Sequence, residues 1–148
     1  MPQFARPSAD TNNPDAYTDQ AGGSTNIYTT IDEVSQDNAD YIRTVASPSS
    51  DVYVTKLTNI TDPVSSASHV MRMATAVDVA SQESLDFTQQ LRQGYVSEGS
   101  QGTLIASQSR TGVTSTAFTV STYTLSGAEA DAITDYTSLY YRFLINKP

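Results

Sequence analysis

The sequence predicts an all-β fold, an antiparallel β-sandwich of the jelly-roll or a related Greek-key type, with one short helical turn. From Asn26 onward, runs of strand-forming residues recur at short intervals and are separated by polar turns. Several of these runs alternate apolar and polar side chains, as half-buried strands do. Ser and Thr make up about a quarter of the chain, and Thr suits exposed strand faces while Ser suits turns. Many short strands joined by polar turns are typical of sandwiches.

The individual strands follow from these runs. Segment 84–92 also has a helical spacing at Leu85, Thr88 and Leu91, so a helix is the competing interpretation there. The last run has apolar side chains at most positions of both strand faces, which predicts a central strand. The predicted strands are 27–31, 41–45, 51–57, 69–79, 84–92, 103–107, 117–125 and 139–145.

A helical turn interrupts the strands near the C-terminus. Ser126 and Glu129 form the pattern S-x-x-E of a capping box, and good helix formers follow as far as Ile133. We therefore expect Ser126 to cap a short helix.

The first 25 residues have a different composition from the rest. Pro, Asn, Asp, Ser and Gly dominate, so residues 1–25 are predicted to form an extended N-terminal arm on a sandwich domain of residues 26–148. Phe4, Arg6 and Tyr17 stand out in this polar segment and are the predicted partner interface. The two rings would fill pockets on a neighbouring protein, and Arg6 would pair with a carboxylate there. A domain without residues 1–25 is expected to fold.

The predicted core consists of the side chains on the apolar side of each alternating run. It comprises Val54, Met71, Met73, Val77, Phe87, Leu104, Phe118, Leu139, Tyr141 and Phe143.

The sequence offers little for catalysis, and we expect a protein without enzymatic activity, catalytic residues, cofactor or resident metal. It has no cysteine, one histidine (His69) and no G-x-S-x-G elbow, and a glycosidase or a cupin-like enzyme would need more than this. Calcium is the alternative left open, because Asp- and Asn-rich loops can supply oxygen ligands, although solvated turns explain them as well. The two acidic clusters are Asp10, Asn12, Asp15 and Asp19, and Asp32, Glu33, Asp37 and Asp40.

The charge balance and the hydrophobic pattern limit the partners. The formal net charge is −8, and the eight Lys and Arg residues form no basic stripe, so nucleic acid is not an expected partner. No run approaches the roughly 18 apolar residues of a membrane span, so no membrane association is expected. The absence of cysteine fits folding in a reducing cytoplasm.

Three stretches have a distinctive order of residues: 27–33 with 37–42, Leu57 with 61–63, and 125–136 with 139–143. With the opening segment 6–10, they resemble a family of small structural proteins from the virion modules of tailed phages. The resemblance implies a β-sandwich head decoration or cement protein that binds the major capsid protein, or another virion protein, and stabilises the shell. It also implies location in the virion after assembly in the host cytoplasm, and a homo-oligomer, with a trimer expected by analogy.

A carbohydrate-binding module of a tail or surface adhesin is the alternative function, because sandwich folds often host lectins. The chain has no Trp, the side chain that most often forms a sugar platform, which disfavours this alternative.

Overall fold

The computed structural model describes residues 3–44, 48–78 and 84–148. Nine strands and two short helices are assigned within these ranges. They are β1 Pro7–Asn12, β2 Thr18–Asp19, a 3₁₀ helix at Ile27–Thr30, β3 Ile42–Arg43, β4 Asp51–Leu57, β5 Val70–Thr75, β6 Leu85–Gln93, β7 Thr103–Val113, β8 Thr119–Thr124, α1 Gly127–Asp131 and β9 Leu139–Asn146.

The main element is a five-stranded antiparallel sheet with the order β1-β4-β9-β6-β7. The all-β prediction is confirmed, and β9 is the central strand, as its two apolar faces predicted. Two further pairs, β2–β3 and β5–β8, are separate antiparallel ribbons. Together they form a discontinuous second layer over one face of the sheet, which we call the inner face.

The β5–β8 ribbon covers the β6–β7 side of the inner face. Met71 belongs to a buried cluster with Leu91, and Met73 belongs to another with Phe87. Arg110 of β7 reinforces this packing by donating to the carbonyl of Thr119 at 3.0 Å.

The β1–β4 side is covered by the segment between β1 and β3. Tyr17 and Ile27 form a buried cluster with Tyr53, and Phe143 packs against it. The prediction of a strand at 27–31 is wrong. The carboxylate of Asp10 accepts hydrogen bonds from the amides of Ile27 and Tyr28, each at 3.0 Å, and so caps a 3₁₀ turn.

The other strand predictions hold to different extents. The strand at 51–57 and the choice of strand over helix at 84–92 are confirmed by β4 and β6. The run 69–79 is ordered as a strand only over Val70–Thr75, and β7 extends past residue 107 to Val113. Positions 45 and 79 lie outside the described residues.

The core prediction is correct for six positions: Val54, Met71, Met73, Val77, Phe87 and Leu139 are buried. It is wrong for Leu104, which is 48% exposed. An irregularity between Leu91 and Arg92 pairs Leu104 with Arg92, which turns Leu104 towards solvent. Phe118, Tyr141 and Phe143 are half-buried rather than buried.

The capping box is confirmed. Ser126 Oγ accepts from the amide of Glu129 at 3.3 Å, and a Glu129 oxygen accepts from the amide of Ser126 at 2.7 Å. Tyr123 also donates to Glu129, at 2.8 Å, and ties the helix to β8.

Ser126→Ala is expected to lower the free energy of unfolding by about 1 kcal/mol, because the amide of Glu129 loses its acceptor. Urea denaturation measures this change. Thr114→Ala is the control, since Thr114 is exposed and lies outside any helix. Equal losses in the two variants would contradict a stabilising cap.

Candidate functional site

The gap in the second layer is a cleft of about 2030 Å³ over the central strand. One wall is β5, and the other includes β3 and the segment 31–41 that precedes it. Small-molecule sites usually measure about 300–1,000 Å³ and enclose the ligand. The volume of this cleft exceeds the usual range of a small-molecule site.

The floor of the cleft is apolar and comes from the inner face of the sheet. Tyr141 and Phe143 of β9 lie there with their ring centroids 5.9 Å apart. The Tyr141 hydroxyl makes no hydrogen bond to a described residue, and burial raises the pKa of Tyr141 to about 12. The hydroxyl is therefore neutral near pH 7 and can donate to or accept from a bound group. These rings are only half-buried because neither ribbon covers β9 completely.

The β5 wall is an unpaired strand edge. The Leu125 amide donates to the His69 carbonyl at 2.9 Å, directly beyond the Val70–Thr124 pair of the β5–β8 ladder. Because hydrogen-bonded and non-hydrogen-bonded pairs alternate in an antiparallel ladder, Val70, Arg72 and Ala74 direct their backbone groups away from β8. In the described part of the chain, no other strand pairs with this edge.

An independent contact places that edge above β6. The side-chain amide of Gln89, which is 1% exposed, donates to the Arg72 carbonyl at 3.2 Å. Gln89 pairs with Phe143 across β6 and β9, so the free edge borders the uncovered part of β9.

The cleft differs in charge from the rest of the molecule. Among the described residues, four of the chain's eight Lys and Arg residues line it, together with only four Asp and Glu residues, although the chain has sixteen of these. These side chains are Arg6, Arg43, Arg72 and Lys147, and Glu33, Asp37, Asp40 and Asp78. The cleft is locally balanced in a chain of net charge −8.

The three arginines of the cleft form no ion pair with a described carboxylate. Arg6 donates to the Asp32 carbonyl at 3.2 Å, and Arg43 donates to the Thr18 hydroxyl at 3.3 Å. The Arg72 guanidinium makes no hydrogen bond to any described residue and is exposed. It is the cation most available to a bound segment.

The structure separates the three predicted interface residues. Phe4, which is 49% exposed, and Arg6 both line the mouth of the cleft. The prediction that Tyr17 contacts a partner is wrong. Its side chain is 0% exposed, its ring centroid lies 5.8 Å from that of Tyr53 in a tilted arrangement, and its hydroxyl donates to the Asp51 carbonyl at 3.0 Å. A side chain without exposed surface cannot contact a partner of the folded protein.

The segment predicted as a separate arm is integrated into the domain. β1 pairs with β4 as the first strand of the sheet, although two register shifts interrupt the pairing. Asp10 in β1 accepts from the Tyr53 hydroxyl at 2.6 Å as well as from the 3₁₀ turn. The composition of residues 1–25 resembles a linker because these contacts use polar side chains rather than a periodic apolar face.

The first acidic cluster has structural roles. The carboxylates of Asp10, Asp15 and Asp19 accept hydrogen bonds from backbone amides. Asp15 accepts from the amide of Val52 at 2.6 Å, and Asp19 accepts from that of Gly23 at 2.7 Å. Within the described ranges, no group of three or more His, Cys, Asp or Glu side chains is arranged to hold a metal ion.

His69 lies at one end of the cleft. Its Nε2 is 2.8 Å from the Tyr136 hydroxyl, and its Nδ1 is buried without a hydrogen-bond partner among the described residues. This pair joins the start of β5 to the loop before β9.

A second polar cluster lies on the opposite, outer face of the sheet. Arg142 Nη2 is 2.6 Å from Glu98, and this hydrogen bond lowers the pKa of the Glu98 carboxyl. Tyr95 donates to the same carboxylate at 2.8 Å, and Arg92 reaches the Gln90 amide oxygen at 2.9 Å. These groups satisfy one another's hydrogen-bonding capacity, so the cluster needs no ligand.

Sequence patterns missed the most distinctive part of the site, which is the free edge of β5. Arg72 occupies an ordinary polar position of an alternating run, and the sequence carries no signal for which strand edge remains unpaired. Tyr141 and Phe143 were expected in the core, because their pattern does not reveal an incomplete second layer.

No described helix is long and apolar enough to cross a membrane. In comparisons with known proteins, the chain matches no family model, no curated protein and no solved structure.

Proposed function

We propose that this chain is a non-enzymatic structural protein of a tailed-phage particle, a decoration protein that binds the major capsid protein shell and stabilises it. The observation that carries the proposal is the cleft, whose apolar floor and free strand edge suit a polypeptide partner. The sequence resemblance supplies the identity of that partner. The analogy also proposes a trimer, which light scattering of the purified protein would measure.

Two of the side chains at the cleft mouth support a protein-binding role. Phe4 exposes about half of its surface, and exposed aromatic rings often dominate the energy of protein interfaces. Arg6 lies beside it, and guanidinium groups bind carboxylates in two-pronged geometry. The proposed contact therefore combines an apolar anchor with a charged one.

The test is co-sedimentation of the purified protein with heads of the phage that encodes it, prepared without the protein. Wild-type protein is expected to sediment with the heads, and the variant with both Phe4→Ala and Arg6→Ala is expected to bind at least tenfold more weakly. Val96→Ala is the matched control, because Val96 is 75% exposed and lies outside the cleft.

Failure of the wild-type protein to bind heads would overturn the proposed function. Binding of the double variant at wild-type strength would show that Phe4 and Arg6 do not contribute to head binding. Reproducible binding to a glycan array without binding to heads would support the carbohydrate-binding alternative.

A further inference from the structure

We propose that the cleft binds its partner by strand addition: an extended segment of the partner protein pairs with the free edge of β5 and covers the exposed part of β9. This inference rests on the proposed function, in which the cleft binds a protein. The segment would have apolar side chains on alternate positions and one carboxylate on its outward side.

The backbone chemistry of β5 determines the class of occupant. Val70, Arg72 and Ala74 present their amides and carbonyls to the cleft, with the Arg72 carbonyl shared by Gln89. A row of alternating donors and acceptors at strand spacing is matched by another extended backbone.

The floor determines the inward side chains of the segment. Tyr141 and Phe143 are half-buried, although the side chains paired with them across β4 and β6 are buried. Alternate apolar side chains of an added strand would point at these rings and remove their remaining surface from water. The second layer would then run from β8 through β5 to the added strand.

The charges determine the outward side chain. Arg72 points away from the sheet, is exposed, and has no ion-pair partner among the described residues. A carboxylate beside it on the added strand would be a favourable cross-strand pair. Among the described lining residues, Glu33, Asp37, Asp40 and Asp78 offset the charges of Arg6, Arg43 and Lys147, so the rest of the cleft does not favour further carboxylates. A single carboxylate beside Arg72 therefore fits best.

The test uses a fluorescein-labelled ten-residue peptide that alternates valine with threonine and has one central aspartate in place of a threonine. Saturable binding, followed by fluorescence anisotropy, is expected together with slower amide exchange at Val70, Arg72 and Ala74. Ala74→Pro removes a free-edge amide without removing a β8 hydrogen bond, and should weaken peptide binding at least tenfold.

Thr124→Pro is the matched control, because Thr124 is also exposed but its amide faces the far edge of the same ribbon. It should bind the peptide like wild type, and thermal unfolding should confirm that both variants fold. A peptide with lysine in place of the aspartate should bind more weakly to wild type, and Arg72→Ala should abolish this preference.

In the peptide experiment, strand addition would be overturned by no saturable binding to wild type, or by equal losses in Ala74→Pro and Thr124→Pro. Head binding keeps the two proposals distinguishable. If Ala74→Pro binds heads as well as wild type does, strand addition is wrong while the decoration role stands. If the peptide binds as expected but wild type does not bind heads, strand addition stands and the decoration role is wrong.

Discussion

Replacing Tyr17 by alanine is expected to lower the free energy of unfolding by about 3–5 kcal/mol, the usual range for removing a large buried aromatic side chain. Tyr17 has no exposed surface and packs on Tyr53. Its loss would also leave the Asp51 carbonyl without its 3.0 Å hydrogen bond. Urea denaturation followed by tyrosine fluorescence or circular dichroism would measure the change.

Phe4→Ala is the control from the same segment. Phe4 is 49% exposed, so its removal should change stability by no more than about 0.5 kcal/mol while weakening partner binding. Similar losses of unfolding free energy in the two variants would contradict the assignment of Tyr17 to the core and Phe4 to the surface.

The sequence predicted that a protein without residues 1–25 would still fold, and the contacts of this segment predict the opposite. Deleting residues 1–25 would remove β1, Tyr17 and the carboxylate of Asp10 together. The shortened chain is expected to be unfolded, as judged by circular dichroism, and not to be a folded domain with weaker binding. A cooperative unfolding transition in the truncated protein would contradict the integrated role of this segment.

Gly102→Ala is expected to destabilise the protein by more than about 3 kcal/mol, which is a large effect for a single methyl group. Gly102 has a φ of +66°, and a Cβ there would lie 2.2 Å from the carbonyl oxygen of Gln93 and 2.7 Å from that of Gly94. Both are backbone atoms, one at the end of β6 and one in the turn that follows, so no side-chain rotation relieves the contact. Thermal or urea unfolding would measure the loss.

Gly112→Ala is the control that separates the cost of a positive φ from the cost of the steric contact. Gly112 has a φ of +65°, but a Cβ there would meet nothing within 4 Å. The control should lose only the cost of a left-handed non-glycine residue, about 1–2 kcal/mol. If Gly102→Ala lost no more than this, the close approach of the two strands would be unimportant.

Features that depend on neighbours in the chain were predictable. The strand at 51–57 follows from its composition and its bounding turns, and Ser126 and Glu129 are close enough in sequence to bond each other. The central place of β9 follows from apolar side chains on both faces, because such a strand is covered on both sides. In these cases the local pattern and the packed structure agree.

Other features were decided by residues far apart in the chain. The 3₁₀ turn at Ile27 exists because Asp10, seventeen positions earlier, accepts its amide. Leu104 faces solvent because an irregularity in the pairing of β6 and β7 shifts its register. Tyr17 is buried because Tyr53 and Asp51 lie under it, and no periodic pattern marks it as a core residue.

By itself, the sequence determined the all-β class, the main strands and the capped helix, since each depends on periodicity or on contacts a few residues apart. Only the tertiary structure decided where the second layer stops. The gap over Tyr141 and Phe143 depends on how far two ribbons reach across a sheet, and the free edge of β5 depends on which strand lies beside it. Such properties belong to pairings between distant segments, because backbone groups of every residue type can form the same ladder.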